Sequence, residues 1–175
     1  ITKSGGAQTV VDAAMEAYGA VDGIVYAAGA VAFGAFDETP DAILIDLFNV
    51  NALAPMRMVR TAAPALRHSA AEGRSPFIVV LSGLVAETPM PGMSAYSAAK
   101  AAIRAWDTAA TRELRRDGIR LIDARPPHTE TGLADRPLSG TAPKLPEGLS
   151  PRAVAVRIVA AIEGGEKDLG SDTFG

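Results

Sequence analysis

Tyr96 and Lys100 stand four residues apart in the run Tyr-Ser-Ala-Ala-Lys. On a helix that spacing places the phenol and the ammonium on one face. A free phenol ionises near pKa ~10, too high for proton exchange at neutral pH. A fixed positive charge beside it favours the phenolate and brings the group into use as an acid or base. The same spacing also suits a plain amphipathic helix, with the tyrosine packed and the lysine solvated. Chemistry therefore depends on what presents the pair.

Phe77–Ser82, FIVVLS, is short, β-branched and bounded by Pro76 and Gly83, which is the pattern of a strand. An irregular stretch with Pro89, Pro91 and Gly92 follows. A long helix is then expected over Ser94–Asp117, its apolar stripe including Ile103, Trp106, Ala110 and Leu114, with Gly118 as its stop. Strand, loop and helix in that order is how a parallel sheet presents its functional edge. Upstream, Ala7–Tyr18 carries a helical stripe (Val10, Val11, Ala14, Met15) closed by Gly19. Val21–Ala28 is an apolar run suited to a central parallel strand. Pro40, with Thr39 as cap, opens a helix towards Phe48, and a second helix is expected from Asn51 to Arg67. Downstream come a strand at Ile119–Ala124, a proline-rich loop from Pro126 to Ser150, a helix over Pro151–Glu163 and a short fourth strand at Lys167–Gly170. Strands alternating with helices make this an α/β fold with a parallel sheet, and 175 residues suit a single domain.

Composition narrows the partners. Hydrophobic residues at 48% and charged residues at 21% are those of an ordinary globular chain. A net charge of -3 argues against a nucleic-acid partner, which needs a clustered basic excess. Arg112, Arg115 and Arg116 share their helix with Glu113 and Asp117 and read as a solvated face. Without cysteine there is no disulfide, thiolate nucleophile or cysteine-based zinc site. His68 and His128 are too few and too far apart for a metal centre, so no metal is expected. No apolar run approaches the length of a bilayer span and no signal peptide is visible, so no membrane partner is expected and a cytoplasmic location is the default.

Four ordered segments resemble the short-chain dehydrogenase/reductase family. VVLSGLVAETPMPGMSAYSAAKAAI looks like its catalytic strand, loop and helix. VDGIVYAAGA resembles its "NNAG" strand and turn, with Tyr26 where asparagine is usual and Ala28-Gly29 retained. FNVNALAP resembles its "VN" segment, matching Asn51, and IRLIDARPPHTETGL resembles its "RPG…T" segment, matching Pro126 and Thr131. The resemblance implies a Rossmann-type doubly wound sheet and hydride transfer between NAD or NADP and a small-molecule carbonyl or secondary alcohol, the cofactor supplying the redox chemistry. It makes Tyr96 the general acid/base, Lys100 the group that lowers its pKa and bonds the nicotinamide ribose, and Asn51 the holder of a water linking the lysine to solvent. Ala28, Gly29 and Pro126 join these three around the cofactor, with Thr131 at the nicotinamide amide. His128, Met90 and Met93 are lesser candidates for the substrate side. A homo-oligomer through Asn51–Arg67 and Ser94–Asp117 is also implied.

Two departures from the family pattern set further expectations. The family's catalytic serine, thirteen residues before the tyrosine, falls on Gly83, with Ser82 one place earlier. Neighbouring strand residues face opposite ways, so Ser82 can act only if the strand end bends, as Gly83 permits. The Gly83 amide is a second candidate donor to a substrate oxygen. The family's glycine-rich TGxxxGxG turn has no match in the sequence, and GAVAFGAF at Gly29–Phe36 is followed by no helix start. The sheet is therefore expected to be N-terminally incomplete, leaving an open central strand unless another segment or chain covers it. The residue that selects NAD or NADP is missing too. The competing expectation is a non-catalytic fragment or pseudoenzyme kept as a binding or assembly module.

Overall fold

A computed structural model describes residues 1–175. Four parallel strands, β1 (Gly23–Tyr26), β2 (Phe77–Leu81), β3 (Arg120–Ala124) and β4 (Asp168–Leu169), lie in the order β1-β2-β3-β4. The register aligns Val25 with Val79, Val79 with Ile122 and Ala124 with Leu169. Five α-helices flank them: α1 (Gly6–Tyr18), α2 (Asp41–Phe48), α3 (Ala54–Ala71), α4 (Ser94–Leu114) and α5 (Pro151–Gly164).

Alternation along the strands divides the core. Ile78, Val80 and Leu121 pack with Val11 of α1, Met58 and Leu66 of α3 and Ile103 of α4. Val79, Ile122, Ala124 and Leu169 pack with Val154, Ile158 and Ala161 of α5. Helices on both faces explain why the strands are apolar without interruption. The expected α/β Rossmann-type architecture and the short fourth strand are present. β1 has β2 on one edge and no strand on the other, and Val25 on that open border is half exposed.

One expectation is overturned. The two helices anticipated at Pro40–Phe48 and Asn51–Arg67 are a single helical rod, Asp41–Ala71, interrupted only by a π-helical turn at Asn49–Leu53. Side chains satisfy carbonyls at and just before that turn: the Tyr26 hydroxyl donates to Val50 O at 2.9 Å and Asn51 Nδ2 to Leu47 O of α2 at 2.9 Å. Fused in this way, the rod is long and apolar enough by length and composition to cross a membrane, with a window of mean hydropathy 1.3. Its inner face, including Leu47, Ala54, Ala62 and Leu66, is completely covered by the rest of the protein. Pro40 lies just outside α2 rather than at its first position, and the Thr39 hydroxyl donates back to Ala35 O instead of capping it.

The long 126–150 loop is tied across the sheet edge. Phe33 N donates to Ser139 O at 2.9 Å and Leu138 N to Val31 O at 2.8 Å. Leu133, Ala134 and Ala142 thereby pack on the cluster of Val31, Phe33, Met93 and Tyr96. The loop roofs the start of α4.

Candidate active site

Tyr96 and Lys100 occupy the first two turns of α4, and both are buried. The lysine reaches down to the end of β2, where Nζ donates to Leu81 O at 2.7 Å. It lies 5.9 Å from the centroid of the Tyr96 ring. Burial pushes the Tyr96 phenol up to about 12, a balance opposite to the lowering expected from the spacing. Burial also brings Lys100 down to about 8, against the pull of the Asp123 and Asp107 charges. At neutral pH the protein thus holds a protonated phenol beside an ammonium.

Asn51 and Gly29 converge on the same point. A Cβ at Gly29 would fall 3.4 Å from Asn51 Oδ1 and 3.9 Å from Lys100 Nζ, so the bare glycine keeps this floor clear. Asn51 itself is held by backbone: Nδ2 donates to Ala30 O at 2.8 Å as well as to Leu47 O, and Oδ1 accepts from Ala30 N at 3.1 Å. Its amide locks the β1 turn to the π turn. Ala28 lies exposed beside this floor, and Pro126 is half-buried, its carbonyl accepting from Leu84 N at 3.0 Å. Thr131 is exposed, and its Oγ1 accepts from Leu133 N at 3.4 Å. Met93 packs against Tyr96, whereas His128 faces Glu130 at 3.3 Å.

The Ser82 side chain is fully buried and its hydroxyl donates to Asp123 Oδ1. Gly83 does turn the chain, at φ 80 and ψ 164, but its amide donates to Ala124 O at 3.2 Å and is not free either. Restoring the family residue here has a defined cost. A Cβ would meet nothing nearer than Pro126 O at 3.8 Å, yet the positive φ disfavours any side chain. Gly83→Ser is therefore expected to lose about 1–3 kcal/mol of stability in urea unfolding, and an unchanged midpoint would contradict this account of the turn.

A group of charges not singled out in the sequence lies directly behind the pair. Arg125, buried, donates to Glu87 at 2.5 Å, to Asp123 at 2.6 Å and in a two-pronged contact to Asp168 at 2.7 and 2.6 Å. Arg104 Nε approaches Asp123 to 4.0 Å, and Asp107 of α4 is sealed beneath the helix. A signal was present: Asp107 interrupts the apolar stripe of α4, and Asp123 interrupts an otherwise apolar strand.

Comparisons with known proteins bear on the sequence and the fold. Residues 1–139 match the short chain dehydrogenase family. A ketoacyl reductase of Nostoc sp. is 31% identical over 88% of this chain and 52% of its own length. The chain spans about half the length of the curated relatives it matches first. A short-chain dehydrogenase from Streptomyces avermitilis superposes with a TM-score of 0.81 at 26% identity, over 98% of this chain and 69% of that one. A 3-ketoacyl-(acyl-carrier-protein) reductase from Brucella melitensis, complexed with NADH, shares the fold with a TM-score of 0.84 at 20% identity, over 96% of this chain and 72% of that one. With its Tyr96–Lys100 pair carried on α4 behind β2 and its sequence matched over residues 1–139, the chain belongs to the short chain dehydrogenase family.

Proposed function

We propose that residues 1–175 form one domain of an oxidoreductase that moves a hydride between NAD or NADP and a carbonyl or secondary-alcohol carbon. The observation that carries this reading is the buried ammonium of Lys100, which donates one hydrogen bond to protein, beside a bare-backbone floor at Gly29 and a Tyr96 hydroxyl with no hydrogen bond acting on its ionisation. An ammonium has three protons, and leaving donors unused in a buried site is costly. Ribose hydroxyls would satisfy them, so these residues fit the nicotinamide-ribose end of the cofactor. Solved relatives from Brucella melitensis, Burkholderia cenocepacia and Burkholderia phymatum are complexes with NADH, NADP and NAD respectively.

The bound cofactor supplies or accepts the hydride. Lys100, held by Leu81 O, would orient the ribose, with Gly29 and Ala28 lining the space beside it. Asn51 keeps this lining in place through Ala30. Tyr96, protonated at neutral pH, has the form needed to give its proton to a carbonyl oxygen during reduction. Thr131 and Pro126, on the 126–150 loop, would help hold the nicotinamide end. Exposed Ile45, Phe48 and Leu53 on the helical rod fit association with a second copy.

The rival reading, a non-catalytic binding or assembly module, is favoured by one observation: neither Ser82 nor the Gly83 amide is free to hold a substrate oxygen. Fluorescence titration with NADPH and separately NADH decides between them. Saturable binding at micromolar concentration is expected. A folded protein that binds neither would overturn the enzymatic reading and leave the rival.

A further inference from the structure

Lys100 makes one hydrogen bond to protein, from Nζ to Leu81 O at 2.7 Å. Leu81 is the last residue of β2 and is in register with Ala124, the last of β3. One residue on, Ser82 has left the strand, and Gly83 turns the chain at φ 80 and ψ 164. The Leu81 carbonyl and the Ser82 amide share one planar peptide unit. The direction of that carbonyl is therefore set by whatever fastens Ser82. The fastening is a side-chain bond: the fully buried Ser82 hydroxyl donates to Asp123 Oδ1 of β3.

Asp123 can act as an anchor because it is held in turn. Its second oxygen, Oδ2, accepts from Arg125 Nη1 at 2.6 Å and lies 4.0 Å from Arg104 Nε. Arg125 is clamped by Asp168 of β4 and by Glu87 after the β2 turn. Arg104 stands one turn beyond Lys100 on α4, and its Nη1 donates to Ala86 O at 3.3 Å. The strand end and the helix that meet at Lys100 are thus both referred to one carboxylate. A buried ion network adds little stability over apolar packing of the same volume. What this one adds is a fixed geometry at the end of β2.

Resting on the reading of Lys100 above, we propose that Ser82 and Asp123 are positioning residues for Lys100: their hydrogen bond fixes the Leu81–Ser82 peptide, and with it the carbonyl that aims the ammonium at the Gly29 floor. A Cβ at Gly29 would lie 3.9 Å from Nζ, so a small rotation of this peptide changes what the ammonium reaches. Without the hydroxyl, the peptide is released just where the strand ladder ends, and Leu81 O loses its alignment with Nζ. Ser82 serves the site from inside the protein, one peptide away from the lysine's acceptor, and needs no contact with a substrate.

The test removes the hydroxyl and keeps the carboxylate, since loss of Asp123 would strand Arg125 and unsettle the whole network. The Lys100 ammonium is followed by NMR in the full protein, assigned through Lys100→Arg, in the parent, Ser82→Ala and Ser82→Thr. Exchange of its protons with water is expected to quicken by about tenfold in Ser82→Ala, the weight of one hydrogen bond. Ser82→Thr restores the hydroxyl and is expected to return the rate to that of the parent. An unmoved Lys100 signal in Ser82→Ala overturns the proposal, as does a lowered thermal midpoint without that change, which would make Ser82 a packing residue only. If Ser82→Ala fails to fold, Ser82→Cys, a weaker donor of similar size, carries the same measurement. The NMR comparison needs no cofactor, so failure of the cofactor titration and failure of this proposal are separately visible.

Discussion

Tyr96→Phe is expected to lower turnover by about 10²–10⁴-fold while leaving cofactor affinity nearly unchanged. The ring stays in the cluster of Val31, Phe33, Leu47 and Met93, so packing is retained and the change is confined to one hydroxyl. Burial alone accounts for the phenol's shift to about 12, with no hydrogen bond or charge contributing, so the deletion leaves no partner stranded. The lysine still holds Leu81 O and still faces the Gly29 floor. The loss should therefore appear in the chemical step. It is measured by single-turnover oxidation of NADPH and NADH with a panel of ketones and aldehydes, alongside the cofactor titration. Full retention of rate would sink the assignment of Tyr96. An equal loss of cofactor affinity would make the tyrosine a binding residue.

The largest structural effect is expected at Arg125. Arg125→Met keeps most of the side-chain volume and removes the one guanidinium that bonds Glu87, Asp123 and Asp168. Asp168 is mostly exposed, and its share is small because water screens it. Asp123 is buried and Glu87 half-buried, and Asp123 above all loses its compensating charge without gaining solvent. Breaking a buried pair in this way costs about 3–5 kcal/mol, far more than the intact pair contributes against an apolar replacement. Burial opposes ionisation of Glu87, yet hydrogen bonds from Ser171 and Arg125 hold its carboxyl below the usual range. That contribution is present above the ordinary value of 4.5 and is lost as pH falls through the lowered one. The Arg125→Met deficit should accordingly be largest near neutrality and shrink in acid. Urea unfolding at pH 7 and at pH 3 measures both, and a deficit under 1 kcal/mol at pH 7 would show that the cluster carries no such weight. Because Asp123 also receives the Ser82 hydroxyl and raises Lys100, the same substitution is expected to disturb the candidate site from behind.

Local physics accounts for most of the elements. β-Branched runs such as Phe77–Leu81 form strands because they suit a sheet buried on both faces, and Gly19 and Gly118 end their helices by adopting the left-handed conformation that side chains resist. The Tyr96–Lys100 spacing was likewise readable, since helix geometry places residues four apart together wherever the helix lies. Three features were beyond local reading. The fusion of α2 and α3 depends on Tyr26, a strand residue, reaching Val50 O. The orientation of Ser82 depends on Asp123 in the next strand drawing its hydroxyl inward. The direction of the Tyr96 and Lys100 shifts depends on burial, which exists only after the helix is laid on the sheet and roofed by the 126–150 loop. Sequence by itself determined which segments are strands and helices and which two residues share a helical face, because those are short-range consequences of side-chain shape and backbone freedom. Tertiary structure alone decided which charges meet and which are sealed from water, because desolvation and Coulomb energy act between groups that only the packed chain brings together.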